Sequence, residues 1–365
     1  MPLSNIRVLD LSRLLPGPYA TMVLADFGAE VIKIEDPFLG DYARDFEPKV
    51  AGQGVMFHSL NRNKTSVTLN LKDEADKNTF LEMVKEADVV VESFRPGVMD
   101  RLGLGYETLK QHNEKLIYCA ITGYGQTGPY RDKPGHDLNY IGYAGLLQLM
   151  GTSDQPPIVP ATQIADIGGG AQPAIIGILL ALFHRERTGE GQFIDISMFD
   201  NVLPWLQALL PGYLNAGIVP ERGEQMLDGG TAYYNVYETK DGRYLAVGAV
   251  EAKFWKVFCE TIGRKDFIAR QLEPKESQRE MKREIQAIIK TKTLEEWTEI
   301  FEPLDACVSP VLTFPEVVEN PQVKARNMIE TIEDEEIGAI KHIGIPIKLS
   351  KTPGKIRTLA PNRQK

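Results

Sequence analysis

Cysteine and histidine are scarce in this 365-residue chain, with three of the first and five of the second. Cys119, Cys259 and Cys307 are odd in number and far apart, which excludes a disulfide framework and any CxxC metal or redox site and favours buried structural thiols. No run of 18 or more uninterrupted apolar residues occurs, and the chain opens on the strand-like segment Ile6 to Leu11 with no charged leader before it. A soluble, cytoplasmic protein with no membrane partner is the expectation. Positive charge is also short: a formal net charge of −9 argues against nonspecific binding to nucleic acid or anionic membranes, both of which need a basic field. Anionic small molecules stay open through local basic clusters. The first turn, Leu11-Ser-Arg-Leu-Leu-Pro-Gly-Pro18, lacks the spaced glycines that let a backbone approach a pyrophosphate, and no Walker-type loop is present. A nicotinamide or flavin dehydrogenase is therefore disfavoured.

What is present suits two cores, since 365 residues at 43% hydrophobic and 25% charged exceed what one core usually absorbs. The chain begins as strand, turn, helix, strand: Ile6 to Leu11, a Pro16-Gly-Pro18 break, an apolar helix from Tyr19 to Phe27, and Ala29 to Ile34. Further strands are expected at Thr65 to Leu69, Ala87 to Val91 and Leu116 to Thr122, with a helix at Ala75 to Glu86. Such alternation predicts an open parallel α/β sheet. After Asp166 come three glycines and the run Ala171 to His184, apolar on nearly every face and so expected to be buried, with Arg185 to Gly191 supplying its stop. Asn201 to Gly217 reads as helical, and Arg222 to Gly230 as turn-rich. A hairpin is expected from Tyr233 to Glu238 and Tyr244 to Val250 around Lys240-Asp-Gly-Arg243, followed by helices at Ala252 to Ile262 and Gln278 to Lys290. The tail, Gly338 to Lys365, is too small for a domain and is expected to pack back onto the first one.

Chemistry has few places to sit. His136 lies in the turn-prone segment Lys133-Pro-Gly-His-Asp-Leu-Asn-Tyr140, after the glycine-rich Gly123 to Pro129; local sequence alone makes it a loop hydrogen-bonding residue more often than a catalyst. Asp166, just before the glycines and the apolar helix, reads as readily as an ordinary N-cap as a functional carboxylate under the helix dipole. As a pair they suit a carbon acid beside a thioester, which a base on one face can deprotonate and an acid on the other can reprotonate. The N–H groups at the helix start near Asp166 are then candidate donors to the enolate oxygen. Glu251, opening the helix at Ala252, is a helix-start acid or a partner that orients an imidazole. Arg62, Lys64, Arg95 and Arg101 are candidate phosphate contacts, although a surface arginine is most often simply solvated.

The segments Pro16-Gly-Pro18, Gly28 to Glu35, Phe94-Arg-Pro-Gly97, Arg101 to Gly105, Thr122 to Pro129, Thr188 to Gln192, Ile345 to Ser350 and Thr352-Pro-Gly354 together resemble the family III CoA-transferase and racemase group. Pro134 to Tyr140 and Met226 to Tyr234 are similar to its α-methylacyl-CoA racemase branch. The resemblance implies a large domain with an open, Rossmann-like parallel sheet formed by both chain ends, residues 1–191 and 329–365. It further implies a helical linker at 192–232, a small α+β domain at 233–314 and a return linker at 315–328. Two subunits of such a protein interlock as a homodimer, with the active site between the large domain of one and the small domain of the other.

His136 and Asp166 fall on the catalytic pair of that branch, Asp137 and Glu251 on supporting acids, and Arg101 and Tyr140 on contacts to CoA. The implied reaction, in fatty acid metabolism, is a cofactor-independent 1,1-proton transfer that interconverts (R)- and (S)-2-methylacyl-CoA, with CoA carried as part of the substrate and no metal. A CoA-transferase using an Asp166 acyl anhydride is the rival, and a non-catalytic acyl-CoA-binding protein a third reading. The sequence departs from the branch at Thr162, where an asparagine assists the aspartate, and at Asp36, where an arginine contacts CoA.

Overall fold

A computed structural model describes residues 1–334 and 337–362. The chain divides into two compact units, one made of Met1–Ala144, Pro160–Leu206 and Asn320–Lys365, the other of Gly145–Val159 and Gln207–Glu319.

In the first unit, six strands form one parallel sheet: β1 (Arg7–Asp10), β2 (Glu30–Glu35), β3 (Lys64–Thr68), β4 (Val89–Glu92), β5 (Ile117–Thr122) and β6 (Phe193–Ser197). Their order across the sheet is β3-β2-β1-β4-β5-β6. Parallel strands covered on both faces read as near-continuous apolar runs, and every residue of β4 and β5 is buried, with the polar Glu92 and Thr122 standing at their carboxyl ends. The order reverses between β1 and β4, so the loops that leave the carboxyl ends of these two strands diverge and open a crevice. The first five strands lie within two residues of the ranges read from the sequence.

The crossovers carry α1 (Pro16–Asp26), α2 (Val55–Asn61), α3 (Glu74–Lys85), α4 (Tyr106–His112), α5 (Asp137–Tyr143) and α6 (Gln172–Thr188), with α7 (Met198–Val202) after β6. Proline at the start of α1 has no N–H to lose, and the Asp73 carboxylate caps α3 by accepting from the N–H groups of Ala75 and Asp76. α6 continues a π-helical segment, Ala165–Ala171, and stops at Gly189, whose left-handed φ of 79° lets its N–H reach the Arg185 carbonyl at 2.7 Å.

Three expectations change here. The segment from residue 192 is not linker, because Phe193–Ser197 completes the sheet beside β5. The helix read as buried all round keeps Ile176, Leu180 and Phe183 exposed, a stripe at helical spacing. Together with its π-helical start it is the one helix among the described residues long and apolar enough to cross a membrane. It packs instead along α1, β5 and β6. Residues 145–159, read as part of the large domain, group with the second unit.

The tail pairs β10 (Ile329–Asp334) with β11 (Gly338–Ile343) and then lies on the first unit, where the Lys355 N–H donates to the Asp26 carbonyl and the Arg357 N–H to the Asn63 side chain. Of the segment 329–365 expected to join the large domain, residues 335–336 and 363–365 fall outside the described residues.

The second unit holds α8 (Leu210–Ala216) and an antiparallel three-stranded sheet in which β8 (Tyr244–Gly248) lies between β7 (Tyr234–Glu238) and β9 (Val308–Pro310). Gly242, at φ 73°, makes the hairpin turn. Helices α9 (Ala252–Thr261), α10 (Lys275–Ile289) and α11 (Leu294–Phe301) close a core around Trp255, Phe258, Phe267, Met281 and Trp297. Cys119 and Cys259 are buried, but Cys307 is exposed, so the expectation of three buried thiols fails at that position.

Candidate active site

β5 delivers the chain into a loop that doubles back to His136, and two glycines make that loop possible. A Cβ on Gly123 or Gly135 would lie 2.4 or 2.7 Å from the Tyr140 ring, and the Tyr140 hydroxyl donates to the Gly135 carbonyl. Tyr140 is buried, so the ring works as a post around which the loop is wound. His136 precedes α5 in an extended conformation, with its N–H held by the Asn139 side chain at 3.0 Å, and its own side chain is exposed.

Asp137, the first residue of α5, ties that loop to the next element. Its Oδ1 accepts the N–H of Ala165 at 2.6 Å and of Asp166 at 3.0 Å. It is Asp137 that caps the helix start, not Asp166 as the sequence suggested. The Ile167 N–H is also occupied, by the Gln163 carbonyl at 3.2 Å. The N–H groups of Ala165, Asp166 and Ile167, the first three of this segment, thus already have acceptors within the protein.

The glycines after Asp166 let the π-helical segment sit tightly against the chain beyond β6. A Cβ on Gly168 would strike the Trp205 ring at 2.1 Å, and one on Gly169 the Met198 carbonyl at 2.6 Å. The Asp166 carboxyl itself accepts no hydrogen bond among the described residues. Burial first, and the neighbouring Asp137 charge second, push it up to about 6, against a smaller pull from His136. A carboxyl at that value exchanges its proton readily near neutral pH, as a general acid and base must.

His136 and Asp166 line one cleft of about 610 Å³ at the switch point of the sheet, together with Tyr140. Four cations border it, Arg13, Arg95, Arg131 and Lys133, and Asp166 is the one acid in its lining. The Lys133 ammonium lies 4.0 Å from the Tyr130 ring centre and 3.1 Å from the Tyr143 hydroxyl. Among the described residues, no group of three or more His, Cys, Asp or Glu side chains is arranged for a metal ion.

The sequence pattern that defines CoA-transferase family III matches residues 3–364. This chain belongs to CoA-transferase family III. It is 38% identical to the α-methylacyl-CoA racemase of Homo sapiens, over 92% of this chain and 85% of that protein. It is also 36% identical to the acetyl-CoA:oxalate CoA-transferase of Acetobacter aceti, over 96% of this chain and 89% of that one. The crystal structure of a CAIB/BAIF family protein from Brucella suis superimposes with a TM-score of 0.85 at 31% identity, covering 99% and 96% of the two chains.

Within this family III chain, the residues expected to serve the site separate into groups. His136, Asp166, Tyr140 and Arg95 share the cleft, and Asp137 supports Asp166 from behind. Arg101 is exposed beside it: its guanidinium and that of Arg131 both approach Gly97, at φ 77°. Glu251 lies in the second unit, exposed and at the N-cap of α9.

Arg62 and Lys64 are a correction. The Arg62 guanidinium forms a bidentate pair with Asp26 at 3.1 and 2.7 Å, and Lys64 spends its three donors on Asp10, Asn61 and the Pro18 carbonyl. Both are buried, neither lines the cleft, and removing either would strand a buried carboxylate. Sequence reasoning missed Arg13, Arg131 and Lys133. A signal existed for Arg13, a cation in the turn after the first strand, the position where α/β sheets place ligands.

Proposed function

We propose that this protein is an acyl-CoA racemase, interconverting (R)- and (S)-2-methylacyl-CoA through an enolate. The observation that carries the reading is a carboxyl pushed up to about 6 in the same cleft as an exposed imidazole, with cations around the opening. In one direction His136 takes the α-proton, the C–H electrons pass into the thioester carbonyl, and protonated Asp166 returns a proton to the opposite face of the carbon. The other epimer uses the two groups in exchanged roles. The proton count closes without a cofactor, CoA being part of the substrate. Glu251 is proposed as a supporting acid, and the working form as a homodimer in the cytoplasm.

The rival reading has Asp166 attack the thioester carbonyl and expel CoA thiolate, leaving a mixed anhydride that an acceptor carboxylate opens. The similar identity to a CoA-transferase keeps this reading in play. Two features favour the racemase: His136 in the cleft has no task in anhydride chemistry, and a nucleophile gains little from a raised pKa. Thr162, where the racemase branch has asparagine, is exposed.

The deciding experiment incubates a single-epimer 2-methylacyl-CoA in D₂O with no carboxylic acid added. Gain of one deuterium together with loss of optical purity is expected. Turnover only when an acceptor acid is supplied would assign the chain to the transferases.

A further inference from the structure

Arg13 leaves the carboxyl end of β1, on the cleft, opposite the loop that leaves β4 through Phe94 and Arg95. Its guanidinium carbon lies 5.5 Å from the Tyr42 ring centre and 5.6 Å from that of Phe94, and Nη1 donates to the Tyr42 hydroxyl at 3.2 Å. Among the described residues Arg13 forms no ion pair. A guanidinium carries five N–H donors, so a side chain that is fixed by two rings and one hydroxyl still presents most of its donors to the cleft.

The backbone on either side of Arg13 is held in place by buried charge. Leu14 has φ 64°, a left-handed conformation that a bulky side chain adopts only when its surroundings impose it. Its N–H donates to Asp41 Oδ1 at 3.1 Å, and the other oxygen of Asp41 meets the Lys33 ammonium at 2.8 Å, with both side chains fully buried. The same ammonium donates to the Ser12 carbonyl at 2.9 Å. One buried ion pair therefore pins residues 12 and 14, and the residue between them is presented to the cleft already ordered. Ordering in advance is what makes a binding contact effective, because less freedom is lost on association.

We infer that Arg13 binds a phosphate of the nucleotide portion of the CoA thioester, beside the exposed ring of Tyr42. The inference rests on the proposed reading that the cleft takes an acyl-CoA. An oxyanion at this place has two possible sources, a phosphate of the nucleotide or a carboxylate at the end of the acyl chain; the flat aromatic surface beside the guanidinium favours a nucleotide.

The test compares wild type, Arg13→Ala and Arg13→Lys in two measurements: calorimetric binding of free CoA, and kcat/KM for one acyl group carried on CoA and on pantetheine, which lacks the nucleotide. Arg13→Ala should weaken CoA binding by about 10- to 100-fold, the loss typical of a charged hydrogen-bonded contact, and reduce the preference for acyl-CoA over acyl-pantetheine by the same factor. Arg13→Lys, which keeps the charge and loses the fork, should recover part of both. Unchanged CoA affinity in Arg13→Ala would overturn the assignment. So would an equal loss on the two thioesters, which would place Arg13 at the acyl end. Wild type that binds no CoA would remove the acyl-CoA reading as well, a failure distinct from either.

Discussion

At the scale of single residues, the site depends on where one proton rests. The Asp166 carboxyl is raised by burial and then by the charge of Asp137, whose own oxygen is fixed by the two N–H bonds it accepts. Asp137→Asn keeps an oxygen for those bonds and removes the charge. The Asp166 pKa should then fall from about 6, and in the direction that needs Asp166 ionised the acid limb of the pH–rate profile should move to lower pH. A limb that stays in place or moves upward would show that Asp137 does not set this value. Nothing in the sequence around Asp166 announces this coupling, because the two residues are 29 positions apart and only the fold brings a carboxylate onto those N–H groups. Arg62 and Lys64 misled for a related reason: a cation in a polar stretch looks alike whether it faces a ligand or a buried aspartate.

At the scale of elements, the clearest signals were those that need no partner. β4 and β5 are apolar up to their last residues, Glu92 and Thr122, because both faces are covered, and that reads directly from Val89 to Val91 and Ile117 to Ile121. β6 was harder to see, since Phe193 and Asp195 are exposed as on an edge strand while Ile196 and Ser197 are both buried, and its pairing with β5 is set by packing far away in sequence. The glycine run at 168–170 was visible, but its reason was not: it is the room that Trp205 and Met198 occupy. Gly169→Ala would push a methyl group against the Met198 backbone carbonyl, which has no rotamer to escape through. Denaturant unfolding should show a loss of about 1–3 kcal/mol, the usual cost of overpacking. At Gly177 the nearest obstacle is the Ile194 side chain at 3.1 Å, so Gly177→Ala should cost less. Equal losses at the two positions would refute this account.

At the scale of the whole molecule, Ile176, Leu180 and Phe183 form an exposed apolar stripe along one face of α6, the kind of surface that marks an interaction site. We propose that it is covered in a homodimer. Analytical ultracentrifugation should give twice the chain mass for wild type, and Leu180→Glu with Phe183→Glu should shift the population toward single chains. A wild-type protein of single-chain mass at micromolar concentration would refute the dimer.

The return of the chain to the first unit also bears on biosynthesis. Asn63, Arg62 and Arg44 take partners at Lys355, Arg357, Ile343 and Pro361, all of which are translated after the second unit. While the ribosome is still making residues 207–319, the nascent first unit therefore lacks these contacts. Its completion has to wait for the tail, and during that interval the growing polypeptide is a natural client for chaperones.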